Sequence, residues 1–182
     1  MKKGLKVACL TGVAFSVAGA TVVTMMPTEA ATSTTSSTSI SATVSGTITC
    51  SGGSAALGTI TPGQAATKTA TLSVTTNGAS GFTVTTGTLG NLSSGSNNIA
   101  YSASAAAGTQ GWKAVVSTHA SEWKTSASAA LTNNTLASGA VWTHGSYSSS
   151  AVTESVDVTV GTAGTTPSGA YTGSIGWTCA VK

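Results

Sequence analysis

The sequence predicts an all-β protein, an antiparallel two-sheet β-sandwich of the Ig-like or jelly-roll-like kind, and three observations predict it. Thr, Ser, Val and Gly are abundant while the Leu, Glu, Lys and Arg periodicity of helices is missing; β-branched side chains fit a pleated surface, and glycine breaks helical turns. Apolar residues recur with a period of two in several short runs, the mark of half-buried strands. Turn residues punctuate those runs at the spacing of two-sheet architectures, with a barrel as the alternative.

The 182-residue chain opens with Lys2, Lys3 and Lys6, followed by a moderately apolar stretch over residues 7–23 and small residues at Thr28 and Ala30. This is the pattern of a secretory signal peptide cleaved near Ala30 or Ala31, so residues 1–30 are set apart from the fold. The stretch is short and rich in Ala, Gly and Thr for a membrane span, so no integral span is expected in the mature form; an uncleaved anchor is the alternative. Cys9 lies too close behind Lys6, ahead of any apolar core, to serve as a lipid attachment site. Residues 31–39 are nearly all Ser and Thr and read as a flexible tether, with pairing as a strand on a partner as the other option. Residues 40–182 then form one β-sandwich domain, a size that buries a real core.

Beyond the leader the only charged side chains are Lys68, Lys113, Lys124, Lys182, Glu122, Glu154 and Asp157, and the chain has no arginine. A nucleic-acid footprint is therefore excluded. Solubility falls to Ser, Thr and Asn, and the sheet edges lack the lysines that discourage edge-to-edge pairing, which leaves self-association open.

The strands follow in order. Residues 40–50 place Ile40, Ala42, Val44, Ile48 and Cys50 on one face. After Leu57 and Ile60, a Thr61-Pro62-Gly63 turn leads into Ala70, Leu72 and Val74, which alternate with threonine and serine. Asn77-Gly78 ends that run, Phe82 and Val84 follow, and residues 72–84 read as a hairpin. Leu89 and Leu92 lie among Gly and Ser. Ile99, Tyr101 and Ala103 make a short strand, and Trp112, Ala114 and Val116 share a face in the next. Residues 120–131 are left as a short helix or a long loop. Val141 with Trp142, then Val152, Val156, Val158 and Val160, supply two strands separated by a loop at 145–150. After the turn at Thr166-Pro167-Ser168-Gly169, the residues Tyr171, Gly173, Ile175, Trp177, Cys179 and Val181 alternate without a break in a long final strand.

Cys50 and Cys179 fall on the apolar faces of the first and last strands, both aimed into one core. Export permits a disulfide between them, and first and last strands are often neighbours in sandwiches. Two buried free thiols are the alternative. No Cys-x-x-Cys spacing supports redox chemistry.

Catalytic chemistry has little to work with. His119 and His144 are the available bases, Glu122, Glu154 and Asp157 the possible orienters, and no Gly-x-Ser-x-Gly elbow is present. His119 and Glu122 make a His-x-x-Glu pair with no further ligand at metal-site spacing. The expectation is a protein that is not an enzyme and has no cofactor or metal. Lys68 and Glu154 share the inward parity of their strands, which admits a self-formed crosslink; charged tips reaching water at strand ends are the plainer reading. Of the four tryptophans, Trp177 is in phase with Cys179 and reads as core. Trp123 and Trp142, with His144 and Tyr147, are the candidates for a glycan or peptide contact, although aromatics in small sandwiches mostly pack.

The terminal run Tyr171-Thr-Gly-Ser-Ile-Gly-Trp177-Thr-Cys179 resembles the end of WxL-type bacterial cell-wall-binding domains, and Gly111-Trp112-Lys113-Ala114 resembles their earlier Gly-Trp motif. Cys179 and Ala114 stand where leucines are expected. Leu57 to Gly63, Ser80-Gly81-Phe82 and the Gly-Tyr final strand are also similar to small secreted coat and pilin-like sandwich proteins. These resemblances imply a secreted, cell-surface, non-catalytic structural or binding protein, noncovalently associated with cell-wall polymer or surface glycan. The alternative they imply is a self-assembling coat or pilus-like subunit that donates a strand from its N-terminal tail, its partners being itself or other surface proteins.

Overall fold

The computed structural model describes residues 39–182. The predicted signal peptide and all of the tether up to Thr38, Cys9 included, lie outside the described residues. Its regular structure is nearly all strand, arranged as two four-stranded antiparallel sheets and one small hairpin joined by long irregular segments.

The first sheet joins β1 (Ile48–Gly52), β2 (Ala65–Thr76), β9 (Ser148–Gly161) and β6 (Gly111–Val116) in the order β1-β2-β9-β6. Its spine is the long β2–β9 ladder, in register from Ala65 opposite Gly161 to Val74 opposite Val152. Period-two alternation sends Leu72, Val74, Val156, Val160, Trp112, Ala114 and Val116 inward. The opposite parity carries a ladder of hydroxyls with few charges: Thr67 and Thr159 are hydrogen-bonded across the strands at 2.8 Å, and Thr69 donates to Asp157.

The second sheet runs β10-β3-β8-β7, from β10 (Trp177–Val181) through β3 (Phe82–Thr86) and β8 (Val141–His144) to β7 (Trp123–Lys124). Phe82, Val84, Trp142 and Trp123 point from it into the same buried core that the first sheet lines. Phe82 meets Trp142 edge to face, with ring centroids 4.9 Å apart. The hairpin of β4 (Leu92–Ser94) and β5 (Asn97–Ile99) completes the strands.

Cys50 and Cys179 form a disulfide that links the first and last strands, with Cα atoms 6.3 Å apart. The bond sits at the sheet edges, because β1 is the outer strand of one sheet and β10 of the other. Both keep the inward side of their strands, opposite buried Val74 and Val84, as expected, but at the sheet edges Cys50 is exposed and Cys179 only half-buried, so the bond is not enclosed in the core. Opposite them the core is already closed by Val74 and Val84.

Three further expectations change. The first strand begins at Ile48 rather than Ile40, and residues 39–47 run without regular structure, leaving Ile40 92% and Val44 83% exposed. Residues 72–84 are not a hairpin, because β2 and β3 belong to different sheets. The intervening chain is a corner: Asn77 accepts from the Thr47 N–H and donates to the Ser45 carbonyl, while buried Thr76 donates to the Thr47 carbonyl at 2.9 Å. Gly81 then turns at φ +83° where a Cβ would lie 1.9 Å from the His144 carbonyl oxygen, so only glycine fits. The last strand covers only Trp177–Val181. Residues 171–176 leave the sheet because Gly173 packs against Leu92 and the Gly176 carbonyl accepts from Gly87 at 2.8 Å. Residues 120–131 resolve into a 3-10 turn at Ala120–Glu122, β7 and a loop.

Candidate functional site

The titratable residues gather where the chain crosses from β6 to β7. Glu154 projects inward from the centre of β9 and is wholly buried. Its Oε1 accepts the N–H groups of Ser117 at 3.0 Å and Thr118 at 2.8 Å. Its Oε2 accepts from the N–H of His119 at 2.8 Å and the indole of Trp123 at 3.1 Å. Successive backbone N–H groups of this kind form a natural cradle for an anion, which is how an uncompensated carboxylate survives in a core. Beside it, Glu122 accepts from Trp142 at 2.7 Å and lies 3.0 Å from His144 Nδ1. Burial pushes the Glu122 carboxyl up, but hydrogen bonds from Trp142 and His144 and the charge of both histidines outweigh it, and the net shift is down.

His119 stacks on Trp142, and Trp142 on Trp123, with centroids 5.2 Å and 5.8 Å apart. His119 Nδ1 has no hydrogen-bond partner and lies 3.8 Å from Glu154 Oε2. This arrangement fastens the crossover to β8 and β9. Glu154 itself is closed to a substrate, since its hydrogen-bonding is directed to its own chain, whereas the Glu122 side chain is 32% exposed. Among the described residues no three His, Cys, Asp or Glu side chains are gathered as a metal ion requires.

A large open groove lies elsewhere. The second sheet is short, and beyond it the long end of the β2–β9 ladder is covered by two irregular segments, residues 53–62 and 166–176. Between cover and sheet runs a groove of about 1340 Å³. Its floor includes Leu72, Val156 and Val158, its walls Leu57, Ile60 and Ile175, with Tyr171 and Trp177 along one side, and no charged residue lines it. The walls have unused backbone. None of the N–H groups of residues 54–60 donates to another described residue, and over 168–175 Thr172 alone does so, in a reciprocal pair with Ser93.

Trp123 and Trp142 are fully buried, which corrects their reading as candidate ligand contacts: their ring N–H groups are taken by Glu154 and Glu122, and their faces by each other and by His119. His144 is part-buried in the same cluster, and Tyr147 stands apart on the β8–β9 turn, 56% exposed. Trp177, read as core, is half-buried against the core and also lines the groove. Trp112 is core, its indole donating to the Gly90 carbonyl at 2.9 Å. The Tyr171 hydroxyl donates to the Pro167 carbonyl at 2.9 Å. Lys68 is exposed opposite Val158, whereas Glu154 pairs with Leu72. A crosslink between Lys68 and Glu154 is thus ruled out by register. Sequence reasoning read turns at 61–63 and 166–169 and gave residues 171–176 to the final strand, so it found no groove; the signal for one was only that Gly-, Ser- and Pro-rich segments sit beside long strands.

Comparison with protein-family models, with curated proteins and with solved structures found no match.

Proposed function

We propose that the chain is an exported, non-catalytic β-sandwich that works at the cell surface as a structural and binding protein, its binding element being the groove beside Trp177. The observation that carries this reading is the groove's chemistry: it is long, uncharged and apolar-walled, and it suits a neutral, extended chain. Hydrolysis or group transfer needs an acid, a base or a nucleophile with a base at the substrate. The described histidines and glutamates instead lie in the crossover cluster, bound to the protein's own indoles and amides. The disulfide fits an oxidising compartment, as the leader predicts.

Noncovalent association with cell-wall polymer or surface glycan is the first form of this function, with the Tyr171 and Trp177 rings as the sugar-facing elements. Incubation of the exported chain with purified peptidoglycan tests it. Retention that a Trp177→Ala variant loses is the expected result, and a chain that stays in solution rules out wall binding. A second form, assembly of copies into a surface layer or fibre, is favoured by the exposure of Ile40 and Val44 on an uncharged, alternating tail.

A further inference from the structure

We propose that Ser146 is an activated nucleophile that takes up an acyl group from a thioester or aryl ester and keeps it as a stable acyl-serine. The site shares no residue with the groove.

Three side chains form a relay at the surface end of the crossover cluster. Ser146 Oγ lies 3.3 Å from His144 Nε2, and His144 Nδ1 lies 3.0 Å from Glu122 Oε2. The Trp142 indole N–H, donating at 2.7 Å, fixes that carboxylate in place. Although burial pushes the Glu122 carboxyl up, its hydrogen bonds from Trp142 and His144 hold it below the ordinary value, so it is ionised at neutral pH. A carboxylate only accepts hydrogen bonds. The neutral imidazole therefore carries its proton on Nδ1 and turns the Nε2 lone pair toward the Ser146 hydroxyl. A hydroxyl on a base that is itself oriented by a third group is the arrangement that activates a serine.

Local structure holds these parts still and leaves the hydroxyl accessible. His144 closes β8 with its ring stacked on Phe82, centroids 5.3 Å apart. Ser146 follows two residues later on the exposed turn into β9. Among the described residues it is the one hydroxyl bonded to a histidine ring; nearby Ser148 donates to the Ser150 carbonyl instead.

In the step, the Ser146 proton passes to His144 Nε2 as Oγ bonds to the ester carbonyl carbon. The bond from that carbon to the leaving sulfur or oxygen then breaks, and the leaving group takes the proton from His144. The class of ester follows from the setting. The N–H groups of Ser146 and Tyr147 donate to no other described residue, but on an exposed turn water competes for them, so they stabilise an oxyanion weakly. A thiolate or phenolate departs without more help. The serine alkoxide is a far poorer leaving group, so water does not release the acyl group and the chain is modified once rather than turning over.

The test incubates the exported chain, disulfide intact, with p-nitrophenyl acetate. Phenolate should appear as a burst of one equivalent per chain, and peptide mass mapping should place the acetyl group on Ser146 and leave Ser149 and Ser150 bare. Ser146→Ala, a change at an exposed turn position, should abolish the burst, and His144→Gln should slow it by about a hundredfold. Because His144 packs on Phe82, near-ultraviolet circular dichroism checks that this variant is folded; if it is not, Ser146→Ala and the mapping decide alone. Acetyl found only on amines, or spread evenly over the exposed serines, overturns the proposal. So does continuous phenolate release that Ser146→Ala removes, which would make the chain an esterase and overturn its non-catalytic reading too.

Discussion

The carboxylate of Glu154, fully enclosed in the core, accepts the indole N–H of Trp123 at 3.1 Å while three consecutive backbone N–H groups close on it from Ser117, Thr118 and His119. One side chain on β9 thereby holds the crossover between the two sheets. Removing it strands the buried indole N–H of Trp123 and three part-buried backbone N–H groups, and the loss at buried donors is costly. Glu154→Ala should destabilise the protein by about 3 to 5 kcal/mol. Glu154→Gln, which keeps one acceptor oxygen but turns an NH₂ toward N–H groups, should cost on the order of 2 kcal/mol. Urea titration reads both, and an alanine variant of unchanged midpoint would refute the anchoring role.

The disulfide should be both strongly stabilising and easy to reach. Its cysteines are 129 residues apart in sequence, so in the chain-entropy model its loss costs on the order of 4 to 5 kcal/mol. Because Cys50 is exposed at a sheet edge, a thiol reductant should cleave the bond in the native protein without prior unfolding. Mass spectrometry after alkylation should find both cysteines labelled while the core tryptophan fluorescence is unchanged.

The Glu122 carboxyl is held below its ordinary value of 4.5 by Trp142, His144 and His119, despite its partial burial. A depressed folded value means that the folded state binds its proton less readily than the unfolded chain. The stability from Glu122 is thus complete above the unfolded value and is lost as the pH falls through the folded one. Stability measured from neutral to acid pH should fall less steeply in Glu122→Gln than in the parent; parallel curves would contradict the assignment.

The tryptophans should separate into two kinds. Trp123→Ala and Trp142→Ala each empty a fully buried site and should cost about 3 to 5 kcal/mol. Trp177→Ala, at a half-buried groove position, should cost less and abolish the fluorescence response to a groove ligand. Tyr147→Ala should leave stability within about 0.5 kcal/mol. Thermal melts and emission spectra of the four variants discriminate these outcomes.

Much of the fold was legible because strand parity is a local property. Leu72, Val74, Trp112, Ala114, Val116, Val156 and Val160 alternate in sequence, and all are buried as the alternation requires. The cysteine pairing was legible for the same reason. Sheet membership was not: Asn77-Gly78 reads equally well as a hairpin turn or as a corner, and the choice depends on whether Asn77 finds Thr47 and Ser45, some thirty residues earlier. The role of the tryptophans was hidden as well, since Trp123 and Trp142 stand in short segments whose neighbours give no phase.

By itself, then, the sequence determined an all-strand chain, the inward face of its long strands and a disulfide between its first and last strands, because each rests on period-two alternation and a count of cysteines. Only the tertiary structure decided that the sulfurs lie at an exposed edge, that Glu154 is held by an amide cradle, and that an uncharged groove opens where the short sheet stops covering the long one. Those features depend on which distant segments meet, and a mismatch in length between two sheets is a property of neither strand alone.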